Sequence, residues 1–217
     1  MKKETKRSLI GGSVLLVSYV LWTVCIRYVD VHAIGPRDSS VGFATMNGWF
    51  HDLTGVHMWL YNVTDWLGLV PLAFALGFAI LGLVQLIHRK SFLKVDRSII
   101  VLGGFYLAFI AVFVIFEFIS PNYRPVLING HLEVSYPSST TMLVMCVMPT
   151  SVMQFNSRIK NNTPRQLVSA ILITFTVFMV VGRLICGVHW LSDIIGGALY
   201  SGGIVMLYRF FVDITEN

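Results

Sequence analysis

Two arginines and a run of hydroxyl residues in this sequence could together bind a phosphate group. Arg124 and Arg183 lie at the ends of long apolar segments, and a guanidinium group can donate paired, charge-assisted hydrogen bonds to phosphate oxygens. Ser138, Ser139 and Thr140 stand where another apolar segment begins. If that segment is a helix, its free N–H groups and partial positive charge favour a bound anion. The pattern therefore predicts a phosphate site formed by these five residues.

His189 and Asp193 could supply the chemical step. They are four residues apart, so on one helix they would lie on the same face. A carboxylate in that position fixes the tautomer of an imidazole and stabilises positive charge on it. A neutral histidine held in this way is a nucleophile toward phosphorus. A buried structural hydrogen bond is the alternative, but an ionisable pair within an apolar segment favours a functional site.

The elements that must position these residues are membrane helices. Of the 217 residues, 55% are hydrophobic and 12% are charged, whereas a soluble domain carries about 25% charged residues. A membrane helix needs about 20 mostly apolar residues. Six stretches qualify, at residues 9–28, 66–87, 98–119, 138–155, 166–185 and 189–211. The fourth is the weakest, because it is short and contains Pro149. The sequence predicts an all-α bundle of six transmembrane helices.

The basic residues are divided unequally between the two sides of this bundle. Four lie on one side, namely Arg27, Arg37, Arg124 and Arg183. Twelve lie on the other: Lys2, Lys3, Lys6, Arg7, Arg89, Lys90, Lys94, Arg97, Arg158, Lys160, Arg165 and Arg209. Because cytoplasmic loops carry the excess of Lys and Arg, we expect both termini to be cytoplasmic in a multi-pass cell-membrane protein. The phosphate site is then extracytoplasmic. Charges between apolar runs indicate membrane topology rather than nucleic-acid binding.

The longest connection, residues 29–65, is expected to be an outer loop. Trp49, Leu53 and Trp59 are among its apolar residues at rough helical spacing. Tryptophan favours the headgroup region, so we expect a helix lying in the membrane interface. A helix that guides lipid substrates to the site is the alternative interpretation. No separate soluble domain is visible, and residues 1–217 are predicted to form a single membrane domain.

The three segments that carry these residues are those of Arg124, of residues 138–140 and of residues 183–193. They resemble the signature motifs of the type-2 phosphatidic acid phosphatases, in the superfamily that includes the vanadium haloperoxidases. The family pattern is Lys-x6-Arg-Pro, then Pro-Ser-Gly-His, then Ser-Arg-x5-His-x3-Asp. Arg183, His189 and Asp193 stand at the spacing of the third motif. The resemblance covers residues 66–210, the phosphatase-like core. It implies a phosphohistidine at His189, oriented by Asp193, with phosphate held by both arginines and the backbone around Ser138 and Ser139. It also implies that neither a metal nor a cofactor is needed.

Two departures from the pattern affect catalysis. Glu117 stands in place of the family lysine, and Thr140 in place of the histidine that acts as general acid or base. Gly182 stands in place of the family serine and Ser139 in place of the family glycine, and both are milder changes. A positioned acid contributes roughly 10²–10⁴-fold, and its loss matters less when the leaving group is itself a phosphate. We therefore expect a preference for lipid diphosphates. Candidates to replace the acid are His131 and Glu117, although an ion pair between Glu117 and Arg124 is as good an interpretation.

Two functions follow from this pattern. The first is a multi-pass membrane hydrolase, a lipid phosphatase acting on isoprenoid or glycerolipid monophosphates or diphosphates at the outer face. The second is a pseudoenzyme of the same fold that binds a phosphorylated lipid or a partner protein without hydrolysis. A transporter is a weaker third interpretation, because paired broken helices are not evident. A phosphorylated lipid and the bilayer are the expected partners, and nucleic acid is not. The pattern carries no information on the oligomeric state.

Overall fold

The structure is a computed structural model that describes residues 2–216, and within that range its regular structure is helical. The eight α-helices described are α1 (Lys3–Tyr28), α2 (Ala44–Thr54), α3 (Met58–Leu67), α4 (Leu69–Arg89), α5 (Arg97–Ile119), α6 (Ser139–Arg158), α7 (Asn162–Ile185) and α8 (Leu191–Glu216). Two short 3₁₀ turns and isolated β-bridges complete the described chain. The all-α prediction is confirmed.

The six predicted spans overlap the six long helices α1 and α4–α8. Five stretches of the described chain are long and apolar enough to cross a bilayer, namely α1, Met58–Arg89 (α3 and α4 together), α5, α7 and α8. The exception is α6, because it carries polar residues such as Thr150, Ser151 and Gln154, which are buried in the bundle. Large apolar side chains remain exposed along the other long helices. This surface is that of a multi-pass membrane protein.

The last helix, α8, lies in the interior of the bundle and packs against α1, α5, α6 and α7. Its glycines permit a close approach to α1. A Cβ atom on Gly12 would lie 3.1 Å from the Gly203 carbonyl oxygen, and one on Gly203 would lie 3.2 Å from that of Gly12. Small residues at such crossings are typical of membrane helices, which associate through close backbone packing.

Polar contacts join the helix termini at the end of the bundle where α1 begins and α8 ends. The Asp96 carboxylate pairs with Arg89 at 2.8 Å and with Arg158 at 3.4 Å, which connects the start of α5 to the ends of α4 and α6. Arg209 of α8 pairs with Glu4 of α1 at 3.1 Å. The twelve basic residues assigned to one side by sequence belong to this end. The phosphate-site segments belong to the opposite end.

The predicted outer loop contains two helices, α2 and α3, rather than one. Asn47 attaches α2 to the start of α8, since its side chain donates to Ser192 Oγ (2.9 Å) and accepts from the Ser192 N–H (3.0 Å). Trp49, Leu53 and Trp59 are 63–67% exposed, as expected of helices lying at headgroup depth. The loop therefore packs over the site end of the bundle.

Candidate active site

A cavity of about 330 Å³ lies where α5 ends and α6 begins. One part of its lining is apolar, from side chains such as Phe113, Phe116 and Met142. The polar part comprises Glu117, Arg124, Glu133, Ser135, Ser139 and His189. Such a lining can hold a charged group beside a hydrocarbon chain.

His189 lies in the connection before α8 and not on that helix, which corrects the predicted span of 189–211. Gly187 turns the chain there with φ of +71°, and a Cβ at this position would lie 2.0 Å from the Gly55 carbonyl oxygen. Asp193, in the first turn of α8, accepts from the Trp190 N–H at 2.9 Å, which caps the helix start. The expected i,i+4 alignment on one helix face is therefore not formed.

Ser135 lies between the two catalytic candidates. The shortest distance from His189 to Asp193, Nδ1 to Oδ2, is 3.9 Å, which is too long for a direct hydrogen bond. Ser135 Oγ is 3.0 Å from His189 Nδ1 and 2.5 Å from Asp193 Oδ2. Asp193 is fully buried and also accepts from Asn122 Nδ2 at 3.2 Å. Asp193 therefore reaches His189 through a hydroxyl group.

Burial is the main cause that lowers the pKa of His189 well below its ordinary value, and the charges of Arg124 and Arg183 lower it further. The imidazole is accordingly neutral near pH 7, where an unperturbed histidine with a pKa of about 6.5 would already be mostly neutral. A neutral ring is the form that can attack an electrophile.

Arg124 reaches the cavity from the segment that follows α5. Its Nη1 lies 3.4 Å from His189 Nε2. Its Nε lies 3.1 Å from an oxygen of Glu133, so the ion partner of Arg124 is Glu133 and not Glu117. The Arg124–Glu117 ion pair considered from sequence is thus replaced by a pair within the hairpin formed by residues 122–135. Glu117 itself lies exposed at the end of α5 and faces the same cavity.

Arg183 is buried behind the cavity and does not belong to its lining. Its Nη2 donates to Thr140 Oγ1 at 2.8 Å and lies 3.4 Å from Asp65 Oδ1. Its Nη1 donates to Thr64 Oγ1 at 3.3 Å. Tyr61 joins the two arginines, since its ring centroid lies 4.8 Å from the guanidinium carbon of Arg183 and 5.8 Å from that of Arg124. Both guanidinium groups therefore lie beside the Tyr61 ring, but only that of Arg124 lines the cavity.

The hydroxyl residues at the start of α6 have different positions. Ser138 is the N-cap: its Oγ accepts from the Thr141 N–H, and its own N–H donates to the Asp193 carbonyl oxygen at 3.2 Å. These groups of Ser138 are therefore already bonded within the protein, contrary to the expectation that its backbone helps to hold phosphate. Ser139 lines the cavity. Thr140 instead presents its hydroxyl to Arg183.

His131 lies exposed at the turn of the hairpin and is not among the cavity-lining residues. Its placement does not favour the suggested role as a proton donor. Within residues 2–216, no group of three His, Cys, Asp or Glu side chains is placed to hold a metal ion.

Several site residues were not found by sequence reasoning: Asn47, Tyr61, Thr64, Asp65, Asn122, Glu133, Ser135 and Ser192. Four of them lie in the outer loop or its helices, where the pattern indicated only interfacial packing. Asn122 occupies a variable position of the first motif, and Glu133 and Ser135 lie between the first two motifs and belong to neither. Glu133, nine positions after Arg124, was the one sequence signal for an ion pair across the hairpin.

Comparisons with known proteins identify the family and a similar fold. The model of the PAP2 superfamily matches residues 108–215, which carry the three motif segments. A crystal structure described as the first transmembrane PAP2-type phosphatidylglycerolphosphate phosphatase from Bacillus subtilis has a similar fold, with a TM-score of 0.63. The alignment has 18% sequence identity and covers 95% of this chain and 97% of the other. No curated protein matches the sequence. The chain belongs to the PAP2 superfamily.

Proposed function

We propose that this protein hydrolyses a phosphorylated lipid, an isoprenoid or glycerolipid monophosphate or diphosphate, through a phosphohistidine at His189. The observation that carries this proposal is the pairing of a buried histidine with an arginine at one cavity wall. His189 Nε2 lies 3.4 Å from Arg124 Nη1, so a phosphate group bound to that arginine would meet the imidazole nitrogen. The apolar wall formed by Phe113, Phe116 and Met142 could hold the lipid chain.

In the first step, the lone pair of His189 Nε2 attacks phosphorus and forms the N–P bond. The bond from phosphorus to the leaving oxygen breaks, and that oxygen takes a proton from solvent water. In the second step, water attacks the phosphohistidine, releases inorganic phosphate and restores the neutral imidazole. Arg124 at the cavity wall stabilises the negative charge on the transferred group, and the charge of Arg183 adds to this from behind the cavity. This scheme uses only groups of the chain and water.

The start of α6 supplies further donors for the phosphate. The first N–H groups of a helix lack intrahelical acceptors and attract anions. Ser139 is in this first turn and lines the cavity. The Thr140 hydroxyl contributes indirectly, because it accepts from Arg183 Nη2 and so fixes that guanidinium.

We propose that the site faces the extracytoplasmic side of the cell membrane. The basis is the charge difference between the two ends of the bundle, with twelve of the sixteen basic residues at the end where α1 begins and α8 ends. By the positive-inside rule that end is cytoplasmic. Labelling of single cysteines introduced at Asn129 and at Lys160 in intact cells tests this. Only the cysteine at Asn129 is expected to react with an impermeant reagent, and the reverse result would overturn the orientation.

Phosphate release by the purified protein from a panel of lipid monophosphates and diphosphates tests the activity. Wild type is expected to release phosphate, and His189→Gln is expected to abolish release while the protein still folds. A 32P label that is stable to base and labile to acid, absent in His189→Gln, would identify the phosphohistidine. Full activity of His189→Gln would refute the mechanism.

A pseudoenzyme that binds phosphorylated lipid is the second candidate. Two observations favour it: the Thr140 hydroxyl is bonded to Arg183, and His189 is the sole histidine in the described lining of the cavity. No second imidazole is therefore placed to protonate a leaving group. Lipid-phosphate binding without turnover of any panel member would support this candidate over the phosphatase.

A further inference from the structure

A hydroxyl group separates the carboxylate and the imidazole of this site, and it belongs to none of the motif segments. Ser135 Oγ lies 3.0 Å from His189 Nδ1 and 2.5 Å from Asp193 Oδ2, whereas the direct His189–Asp193 separation is 3.9 Å. All three residues are at least 96% buried. Water therefore has little access to replace either contact.

The direction of these hydrogen bonds follows from the donors and acceptors present. Asp193 accepts from the Trp190 N–H and from Asn122 Nδ2 in addition to Ser135, as an ionised carboxylate does. An ionised carboxylate only accepts, so Ser135 donates its one proton to Asp193. Ser135 Oγ can then only accept from His189, which places the imidazole proton on Nδ1.

A second contact independently gives the same tautomer. The guanidinium group of Arg124 has donors and no acceptor, and its Nη1 lies 3.4 Å from His189 Nε2. A hydrogen on Nε2 would face a donor, whereas a lone pair there can accept from it. Both neighbours of the ring therefore favour Nδ1–H and a lone pair on Nε2, the nitrogen facing the guanidinium group.

We infer that Ser135 is a positioning residue that links Asp193 to His189 and holds the imidazole with its reactive lone pair on Nε2. This inference rests on the proposed function for its catalytic meaning. Asn122 supports the arrangement from both sides, since its side chain bonds to Asp193 and its backbone carbonyl accepts from the Ser135 N–H at 3.0 Å. When Nε2 bonds to phosphorus, the Asp193 carboxylate stabilises the positive charge that forms on the ring through the Nδ1–H···Oγ–H···carboxylate chain.

The experiment combines a tautomer measurement with kinetics on the full chain in detergent. In protein labelled with 15N-histidine, the ring 15N shifts of His189, assigned by difference from His189→Gln, are expected to show Nδ1–H. In Ser135→Ala this preference should weaken, because Nδ1–H and Asp193 Oδ2 no longer share a bridging group and only the Arg124 contact still favours it. Leaving a buried group unpaired predicts a loss in kcat of roughly 5- to 150-fold, with a smaller change in KM.

Two variants make the comparison specific. Ser135→Thr keeps the hydroxyl and is expected to keep the Nδ1–H tautomer and most of kcat. Ser151→Ala removes another buried hydroxyl, one that donates to the Val147 carbonyl within α6, and is expected to leave the tautomer and kcat unchanged. If Ser135→Ala does not fold, Ser135→Cys takes its place, because it keeps the shape and weakens the hydrogen bond.

An Nε2–H tautomer in wild type would overturn the inference, as would a Ser135→Ala protein with unchanged tautomer and kcat. These outcomes are distinct from failure of the proposed function. A wild-type protein that shows a Ser135-dependent Nδ1–H tautomer but hydrolyses no lipid phosphate would refute the phosphatase and leave the positioning role in place.

Discussion

Replacing Gly182 with serine should impair this protein, even though serine is the residue of the family pattern at that position. A Cβ atom at Gly182 would lie 2.8 Å from Thr64 Cγ2, well inside the normal carbon–carbon separation of about 3.5–4.0 Å. Overpacking of this kind costs about 1–3 kcal/mol. Thr64 would have to move, and its hydroxyl is an acceptor for Arg183 at 3.3 Å. The change should therefore disturb Arg183, an arginine proposed to act on the phosphate, as well as stability.

The assays are the apparent melting temperature in detergent and phosphate release from a lipid phosphate. The predicted cost corresponds to a decrease in melting temperature of roughly 2–12 °C for a chain of this size. Thr64→Ser is the matched second change, because it removes only Cγ2 and keeps the hydroxyl. The double variant Gly182→Ser/Thr64→Ser should recover most of both losses, giving a coupling energy above about 0.5 kcal/mol.

Gly103→Ala is the control for adding a methyl group to a helix. A Cβ atom at Gly103 would meet no atom within 4 Å, and alanine is favoured over glycine in a helix by roughly 0.5–1 kcal/mol. This variant should be as stable as wild type or more so. If Gly182→Ser matched wild type in both assays, or if Thr64→Ser failed to rescue it, the steric account of Gly182 would be refuted.

Three further predictions concern the charges of the site. Because burial and two nearby arginine charges lower the pKa of His189, the acid limb of the kcat/KM profile should lie below the ordinary histidine value of about 6.5; a limb above that value would contradict the neutral nucleophile. Glu133→Gln removes the ion partner of Arg124 and should strengthen inhibition by inorganic phosphate up to about fivefold, whereas unchanged inhibition would show that the pair does not compete with phosphate. Thr140→His combined with Glu117→Lys should raise phosphate release, and it should do so most for monophosphates if a missing acid limits the wild type.

The expected preference for diphosphates can be tested with the same panel. Matched monophosphate and diphosphate lipids with identical tails isolate the leaving group. Faster release from the diphosphate is expected, because a phosphate leaving group needs less help from an acid. Faster release from the monophosphate would count against the missing-acid argument, and Glu117, which faces the cavity, would then be the group to test as a proton donor.

Much of the architecture could be predicted from sequence because it depends on local composition. Long apolar stretches specify α1, α4, α5, α7 and α8, since the bilayer leaves few other ways to satisfy backbone hydrogen bonds. The polarity of α6 made that span the weakest prediction, and the structure buries its polar side chains inside the bundle. Its contacts with neighbouring helices, rather than its own hydropathy, decide its position.

The sequence by itself predicted Arg124, Arg183, His189 and Asp193 as site residues, because side-chain chemistry and spacing can be read along the chain. How they are connected was decided by tertiary structure. Ser135 is separated from His189 and Asp193 by 54 and 58 residues, and no local pattern encodes a hydrogen bond over such distances. The turn at Gly187 and the cap at the start of α8 remove His189 from the helix, which opens the 3.9 Å gap to Asp193 that the serine hydroxyl spans.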